Sequence, residues 1–208
     1  EESPAPGYER EPMEQRAEEL SSICRRLGYN NLGTVETLFT PDGEVGFLEM
    51  NTRIQVEHGV TEEVTGVDLV AAQITLAAGG HLPAQAPLQG FAMEARLYAE
   101  DAQTLFPSTG KLVVFRPPKL HGVRIETGYR EGQGGSPYYD PLLAKIIARG
   151  TTREQAIGRL VVALRAFTVR GVSTNAQLLQ QILQDQLFVQ GQVDTGMVAR
   201  ILGHQNAY

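Results

Sequence analysis

Read at alternate positions, residues 49–57 of this chain carry Glu49, Asn51, Arg53, Gln55 and Glu57, while Met50, Thr52, Ile54 and Val56 fall between them. In an extended backbone successive side chains point to opposite faces, so two carboxylates, two amides and a guanidinium would line one side. Asp42-Gly43 lies just upstream, and Asp-Gly is a strong signal for a two-residue hairpin turn. Centring the turn there pairs GTVETLF (33–39) with VGFLEMN (45–51), so that Thr34 faces Asn51, Glu36 faces Glu49 and Leu38 faces Phe47.

Directly paired strand residues have Cβ atoms about 5 Å apart, and like charges there are destabilising. At an effective dielectric of 20, two carboxylates at that distance repel by roughly 3 kcal/mol. A chain tolerates such a pair if it is solvated, if one acid is protonated, or if a cation lies between the two. Hard oxygen ligands suit Mg²⁺, which bridges carboxylates to substrate phosphates, and Asn51 offers a further amide oxygen. Beyond the pair, Arg53 could fork onto a small planar anion, and Glu57 could act as a general base in an environment that raised its pKa. The plainer alternative is a solvated strand face, and the residues alone leave both open.

Several elements must position this stripe. Met13, Ala17, Leu20, Cys24 and Leu27 recur at helical spacing, predicting a helix over 12–27 that Gly28 stops. Residues 68–78 predict another, with Asp68 as N-cap and Gly79-Gly80 as its end. The Pro- and Gln-rich stretch 81–90 is a natural boundary, and beyond it the period falls to two. FAMEARLYAE, KLVVFRPP, GVRIETG and PLLAKIIARG read as strands. Helices over 152–167, capped by Thr151 with Glu154 three residues on, over 175–184 and over 195–202 follow. The fold class is α+β.

Composition narrows the function. A net charge of −6 lacks the basic footprint of a nucleic-acid binder, and no apolar run approaches the roughly 20 residues of a membrane helix. A lone cysteine, Cys24, reads as a small buried hydrophobe and fits a reducing compartment, so a cytoplasmic location is expected. The four histidines share no metal-ligand spacing, and GYREGQGGS reads as a loop. Arg96 alternates with Glu94 and Tyr98, and reads by itself as a surface or paired arginine. Lys145 interrupts an apolar strand, which calls for a partner or a snorkelling geometry.

The ordered set GTVETLF, FLEMNTRIQVEHGVTEEVTGVDLV, EARLYAED, FPSTGKL, SPYYDPLLAKIIARG and GVSTN resembles the C-terminal half of the biotin carboxylases. These are the ATP-grasp components of acetyl-CoA, propionyl-CoA, pyruvate and urea carboxylases. The resemblance implies the C-terminal part of an ATP-grasp domain over 1–84 and a biotin carboxylase C-terminal domain, an antiparallel sheet with flanking helices, over 91–197. It implies ATP, Mg²⁺ or Mn²⁺ and bicarbonate as reactants and cofactor. Biotin would sit on a separate carrier protein or domain, with a carboxyltransferase component and a second copy of the chain as partners. Residue by residue, Glu36 and Glu49 match the carboxylates that hold magnesium on the nucleotide, with Asn51 assisting. Arg53, Gln55 and the backbone of Val56 match bicarbonate-binding positions, and Glu57 matches the base. Arg96 matches the arginine that stabilises the biotin enolate, Leu38 an adenine-packing position, and Arg124 a region of dimer contacts.

Two departures carry expectations of their own. Gly59 stands where the family commonly has Pro, which predicts a less rigid loop around the base. The family's nucleotide lid and phosphate-binding lysines would precede Glu1, so these 208 residues are expected to be inactive alone. A non-catalytic structural or dimerisation half, and a urea carboxylase-type parent, are the alternatives.

Overall fold

The structure is a computed structural model that describes residues 1–8, 10–40, 44–82, 87–135 and 138–203. In chain order its elements are β1 (Glu2–Ser3), α1 (Arg10–Arg26), β2 (Thr34–Phe39), β3 (Val45–Asn51), α2 (His58–Thr65), α3 (Leu69–Ala77), β4 (Phe91–Tyr98), β5 (Val114–Arg116), β6 (Val123–Glu126), β7 (Leu142–Gly150), α4 (Arg153–Ala166), β8 (Thr168–Arg170), α5 (Ala176–Gln184), α6 (Gln186–Val189) and α7 (Met197–Ile201). They fall into two compact units. One is Gly7–Leu88; the other joins Glu1–Pro6 to the chain from Gln89 onward.

Within Gly7–Leu88, α1 forms where the apolar period predicts it and ends at Gly28, whose φ of 68° is the left-handed conformation that glycine adopts without strain. Only part of its predicted apolar face is covered: Met13, Leu20 and Cys24 are half-buried, whereas Ala17 and Leu27 are exposed. Strands β2 and β3 pair antiparallel with Thr34 opposite Asn51 and Glu36 opposite Glu49, as their spacing predicts. The pairing of Leu38 with Phe47 is not found. A β-bulge follows Glu36, so Thr37 pairs with Phe47 and Leu38 with Gly46, and Leu48 is left without an opposite residue. The expected Asp42-Gly43 turn lies outside the described residues.

The extended stretch also ends sooner than the alternation suggests. Strand β3 stops at Asn51, the chain turns, and Glu57 becomes the N-cap of α2. Gly59 therefore lies buried in the first turn of a helix, not in a loop. Helix α2 closes on Gly66, in the left-handed conformation, and the buried Glu62 accepts the backbone N–H of Leu69 at 2.6 Å. That bond ties the α2 end to the start of α3, where Asp68 accepts the N–H of Ala71 as its predicted cap.

The other unit is built on an antiparallel sheet in the order β1-β4-β7-β6. Alternation sorts its side chains. Met93, Ala95 and Leu97 of β4 and Ala144, Ile146 and Ala148 of β7 belong to one hydrophobic cluster with Leu160 and Leu164 of α4. Glu94 and Arg96 of β4 and Lys145 of β7 lie on the opposite face, with Arg96 paired to Lys145 across the ladder. Burying each large apolar side chain of the first face stabilises the unit by roughly 1.5–3 kcal/mol. Helix α4 is capped one residue later than predicted: Thr152 Oγ1 accepts the N–H of Gln155, while the side-chain oxygen of Gln155 accepts the N–H of Thr151. The expected strand over 111–118 contracts to β5, which pairs with β8, a strand too short to announce itself by period.

Candidate functional site

In Gly7–Leu88 the β2–β3 ladder places Glu36 and Glu49 side by side, and two amides answer their charge. Asn51 Nδ2 donates to Glu36 Oε1 at 2.7 Å and to Glu49 Oε1 at 3.1 Å. Gln55 Nε2 donates to the same Glu36 oxygen at 2.8 Å. Arg53 leans back along the chain, donating to Asn51 Oδ1 and to the carbonyl of Ile54, both at 3.3 Å. The turn after Asn51, not a longer strand, is what gathers these groups. A donor bridge is thus a fourth way of tolerating two facing carboxylates, beside solvation, protonation and a cation.

The rest of the segment is arranged around the start of α2. His58 Nδ1 lies 2.7 Å from the carbonyl oxygen of Gln55, which fixes the ring against the turn. Glu57 is half-buried and occupies the N-cap position without capping the helix through its own side chain. Val56 is exposed. The bulge shapes the far end of the ladder: alternation keeps Leu38 on the Glu36 face, and its cross-strand neighbour is now Gly46, not the bulky Phe47. Leu38 is 58 % exposed there, an apolar shelf with no side chain facing it across the strand.

Arg96 and Arg124 belong to the other unit. The Arg96 guanidinium pairs with the carboxylate of Glu1. Its backbone is held from a residue that the sequence reading quoted in a motif but gave no role: the buried Asn175 donates to Arg96 O at 3.1 Å and accepts from Tyr98 N at 2.9 Å. Asn175 thereby clips the end of β4 to the start of α5. Across the ladder, Lys145 Nζ lies 2.7 Å from Glu126 Oε2, the partner its strand position calls for, and Arg124 pairs with the other oxygen of Glu126. Burial alone would push the Glu126 carboxyl up, but the hydrogen bond and charge of Lys145, with those of Arg124, outweigh it and hold Glu126 below the usual carboxylate range.

Glu94 is the residue of this face that alternation noted and did not explain. It is 3 % exposed, and neither carboxyl oxygen has a hydrogen-bond partner. Burial pushes its pKa up to about 7, against the pull of Lys145 and Arg96.

The residues fit a divalent cation by chemistry. Glu36 and Glu49 bring hard oxygen donors to one edge of a hairpin. Asn51 turns its amide nitrogen toward them in this arrangement and its oxygen toward Arg53.

Comparison with known proteins places these groups in a family. Residues 94–200 match the family model described as the biotin carboxylase C-terminal domain, and residues 1–85 match the ATP-binding domain of the carbamoyl-phosphate synthase L chain. A biotin carboxylase of Halalkalibacterium halodurans is 42 % identical over 205 residues, covering 97 % of this chain and 45 % of that protein. The mitochondrial propionyl-CoA carboxylase alpha chain of Caenorhabditis elegans is 41 % identical over 201 residues, 94 % of this chain and 28 % of that one. Among solved structures, the biotin carboxylase domain dimer of Hydrogenobacter thermophilus 2-oxoglutarate carboxylase, in complex with MgADP, ADP and bicarbonate, superposes with a TM-score of 0.93 at 34 % identity, covering 97 % of this chain and 46 % of that one. The chain therefore spans less than half the length of these relatives. Its fold is the expected α+β arrangement, the C-terminal part of an ATP-grasp fold followed by an antiparallel sheet with flanking helices, and no helix among the described residues is long and apolar enough to cross a membrane. Matched along nearly all of its own length, the chain belongs to the biotin carboxylase family.

Proposed function

We propose that these residues serve as the C-terminal part of a biotin carboxylase, which joins bicarbonate to biotin on a separate carrier at the expense of ATP. The observation that carries this reading is the array Glu36–Asn51–Glu49 with Gln55 on the same carboxylate, a preassembled patch of hard oxygens and donors, in a chain of this family.

Glu36 and Glu49 would hold Mg²⁺ or Mn²⁺, with Asn51 completing the set. The cation would neutralise phosphate charge on the nucleotide. Leu38, open across the strand because of Gly46, supplies an apolar surface against which an adenine can lie. Arg53 and Gln55, with the Val56 backbone, offer donors to bicarbonate, and Arg53 gives the planar fork that a three-oxygen anion accepts. Glu57, at the next turn, takes the bicarbonate proton. Arg96 places a fixed cation where negative charge develops on the biotin ureido oxygen, the stage at which such a charge accelerates the reaction most. The two proposed domains, about 1–84 and 91–197, would divide these tasks.

A carrier protein or domain, a carboxyltransferase component and a second copy of the chain complete the proposed assembly, in the cytoplasm. Arg124 is proposed for the contact between copies. The 208 residues by themselves would hydrolyse ATP negligibly.

A chimera tests the reading. These residues replace the matching segment of the Halalkalibacterium halodurans biotin carboxylase, and ATP hydrolysis is followed with and without bicarbonate and free biotin. Bicarbonate-dependent turnover is expected, with a loss of about a hundredfold or more in Glu57→Gln. A folded, dimeric chimera that binds MgATP but shows no such turnover would overturn it.

A further inference from the structure

Asparagine is a preferred helix N-cap because its side-chain oxygen accepts an orphan N–H of the first turn. Asn175 holds that position at the head of α5, yet its side chain makes no capping bond. The carboxamide, buried in a residue only 6 % exposed, is given to β4 instead. Its Nδ2 donates to Arg96 O at 3.1 Å, its Oδ1 accepts the N–H of Tyr98 at 2.9 Å, and the main-chain N–H of Asn175 donates to Tyr98 O at 3.3 Å. One residue thus acts as a length of strand along the β4 edge that faces away from β7. On that same edge the Glu94 N–H donates to Glu1 O at 2.8 Å.

The place of this grip matters. Arg96 pairs with Lys145 and Leu97 with Ala144, but Tyr98 pairs with Leu142, so the β4–β7 ladder slips by one residue immediately after Leu97. Such irregularities re-aim neighbouring side chains. Asn175 spans the slip from the other edge, holding Arg96 before it and Tyr98 after it. Tyr98 in turn hydrogen-bonds the Arg96 guanidinium through its side chain, beside the ion pair with Glu1. The backbone from which the guanidinium is aimed and a side chain that braces it are both fixed by one amide.

We propose that Asn175 is a positioning residue for Arg96: it holds the strand across the slip so that the guanidinium meets the oxyanion developing on biotin. The inference rests on the proposed role of Arg96 and adds the group that gives that cation its place. A misplacement of about 1 Å at a reacting centre costs on the order of a hundredfold in rate. Loss of the clip leaves the Glu36–Glu49 pair, in the unit Gly7–Leu88, its own hydrogen bonds.

The chimera with the Halalkalibacterium halodurans enzyme carries the test. The quantity read is the increment that saturating free biotin adds to bicarbonate-dependent ATP hydrolysis, divided by the rate without biotin, since general damage to the fold lowers both together. Asn175→Ala should lower this ratio about tenfold, and Arg96→Met about a hundredfold. In Arg96→Met, adding Asn175→Ala should change it by less than about twofold, because a residue that acts through Arg96 has nothing left to position. An unchanged ratio in Asn175→Ala, or an equal fall in both backgrounds, overturns the proposal. Should Asn175→Ala not fold, Asn175→Asp decides by the same ratios: it keeps an acceptor for the Tyr98 N–H and sets an oxygen against Arg96 O. If neither folds, Asn175 serves folding alone and the proposal fails. A chimera without biotin-stimulated turnover sinks the carboxylase reading, and one that keeps it in Arg96→Met sinks the role of Arg96; either takes this inference with it. A loss in Arg96→Met beside an undiminished Asn175→Ala sinks only the role of Asn175.

Discussion

Glu36 stands directly opposite Glu49 on the β2–β3 ladder, and one amide nitrogen, that of Asn51, reaches both. Donors from Asn51 and Gln55 soften the repulsion of the pair, and the proposed cation would take over that role. Asn51→Asp replaces the bridging donor with a third carboxylate. Without divalent metal, the variant should unfold more easily than the wild type by about 1–2 kcal/mol, the cost of a lost hydrogen bond to a charged group plus added repulsion. Adding Mg²⁺ should restore more stability to the variant than to the wild type, read as the shift in Tm with metal concentration. An equal response of the two proteins would speak against a cation at this pair.

The first turn of α2 offers a stability test. Gly59 is buried there, and the first N–H groups of a helix have no partner within it, so a proline sacrifices no helical bond and restricts the unfolded chain. Gly59→Pro should stabilise Gly7–Leu88 by about 0.4–1 kcal/mol. Denaturant unfolding followed by circular dichroism measures it; a loss of stability would mean that the turn needs an N–H at this position.

Asn175 is predicted to matter far more than an exposed amide. Asn175→Ala leaves Arg96 O and Tyr98 N without their side-chain partner in a buried setting. The expected cost is about 1–3 kcal/mol, with faster hydrogen exchange at Tyr98 N–H. Leu160→Ala serves as the control. Fully buried beneath the sheet, that leucine should cost about 2–5 kcal/mol by cavity formation without altering exchange at Tyr98 selectively.

Two carboxyls give opposite pH dependences. Glu94, raised to about 7 from an ordinary 4.5, contributes stability that is full below about pH 4.5 and lost as pH rises through about 7, amounting to roughly 3 kcal/mol. Glu126, held below its ordinary value by Lys145 and Arg124 against the effect of burial, contributes stability present above about pH 4.5 and lost as the solution is acidified past that point. Unfolding free energies from about pH 3 to about pH 9 should show both limbs. Glu94→Gln should remove only the upper one and Glu126→Gln only the lower.

Much of this was legible before any coordinates. The period-two runs and the Asp-Gly signal set Glu36 against Glu49, but that pairing is reached only through the bulge: nearer the turn Leu38 pairs with Gly46 and Phe39 with Val45, one residue off the expected register. The bulge after Glu36 was not legible: Leu48 resembles any strand residue, and nothing in its type marks it as the one left without an opposite residue. The start of α2 was hidden for a related reason. An alternation that fits a strand through Glu57 also fits a strand that stops at Asn51 and turns, since a turn can bring Gln55 back onto Glu36 just as well. Glu94 was visible as a charge in a strand but not as a buried one, because burial of that face depends on neighbours distant in sequence. Thr151 and Thr152 are chemically equivalent as caps, and local backbone geometry chose the second.

Strand β1 has one further consequence, for anyone wishing to study the sheet unit by itself. The pairing of Glu2 with Met93 and Ser3 with Ala92 makes the unit discontinuous in sequence. Arg153, which forks onto Glu2 and stacks over Phe188, fastens that short strand to the start of α4 and to α6. Expression from Gln89 onward would strip β4 of its neighbour, leave a bare sheet edge open to pairing between chains, and strand a mostly buried guanidinium. A permuted polypeptide, with the first six residues appended by a flexible linker, is the version that should stay monodisperse.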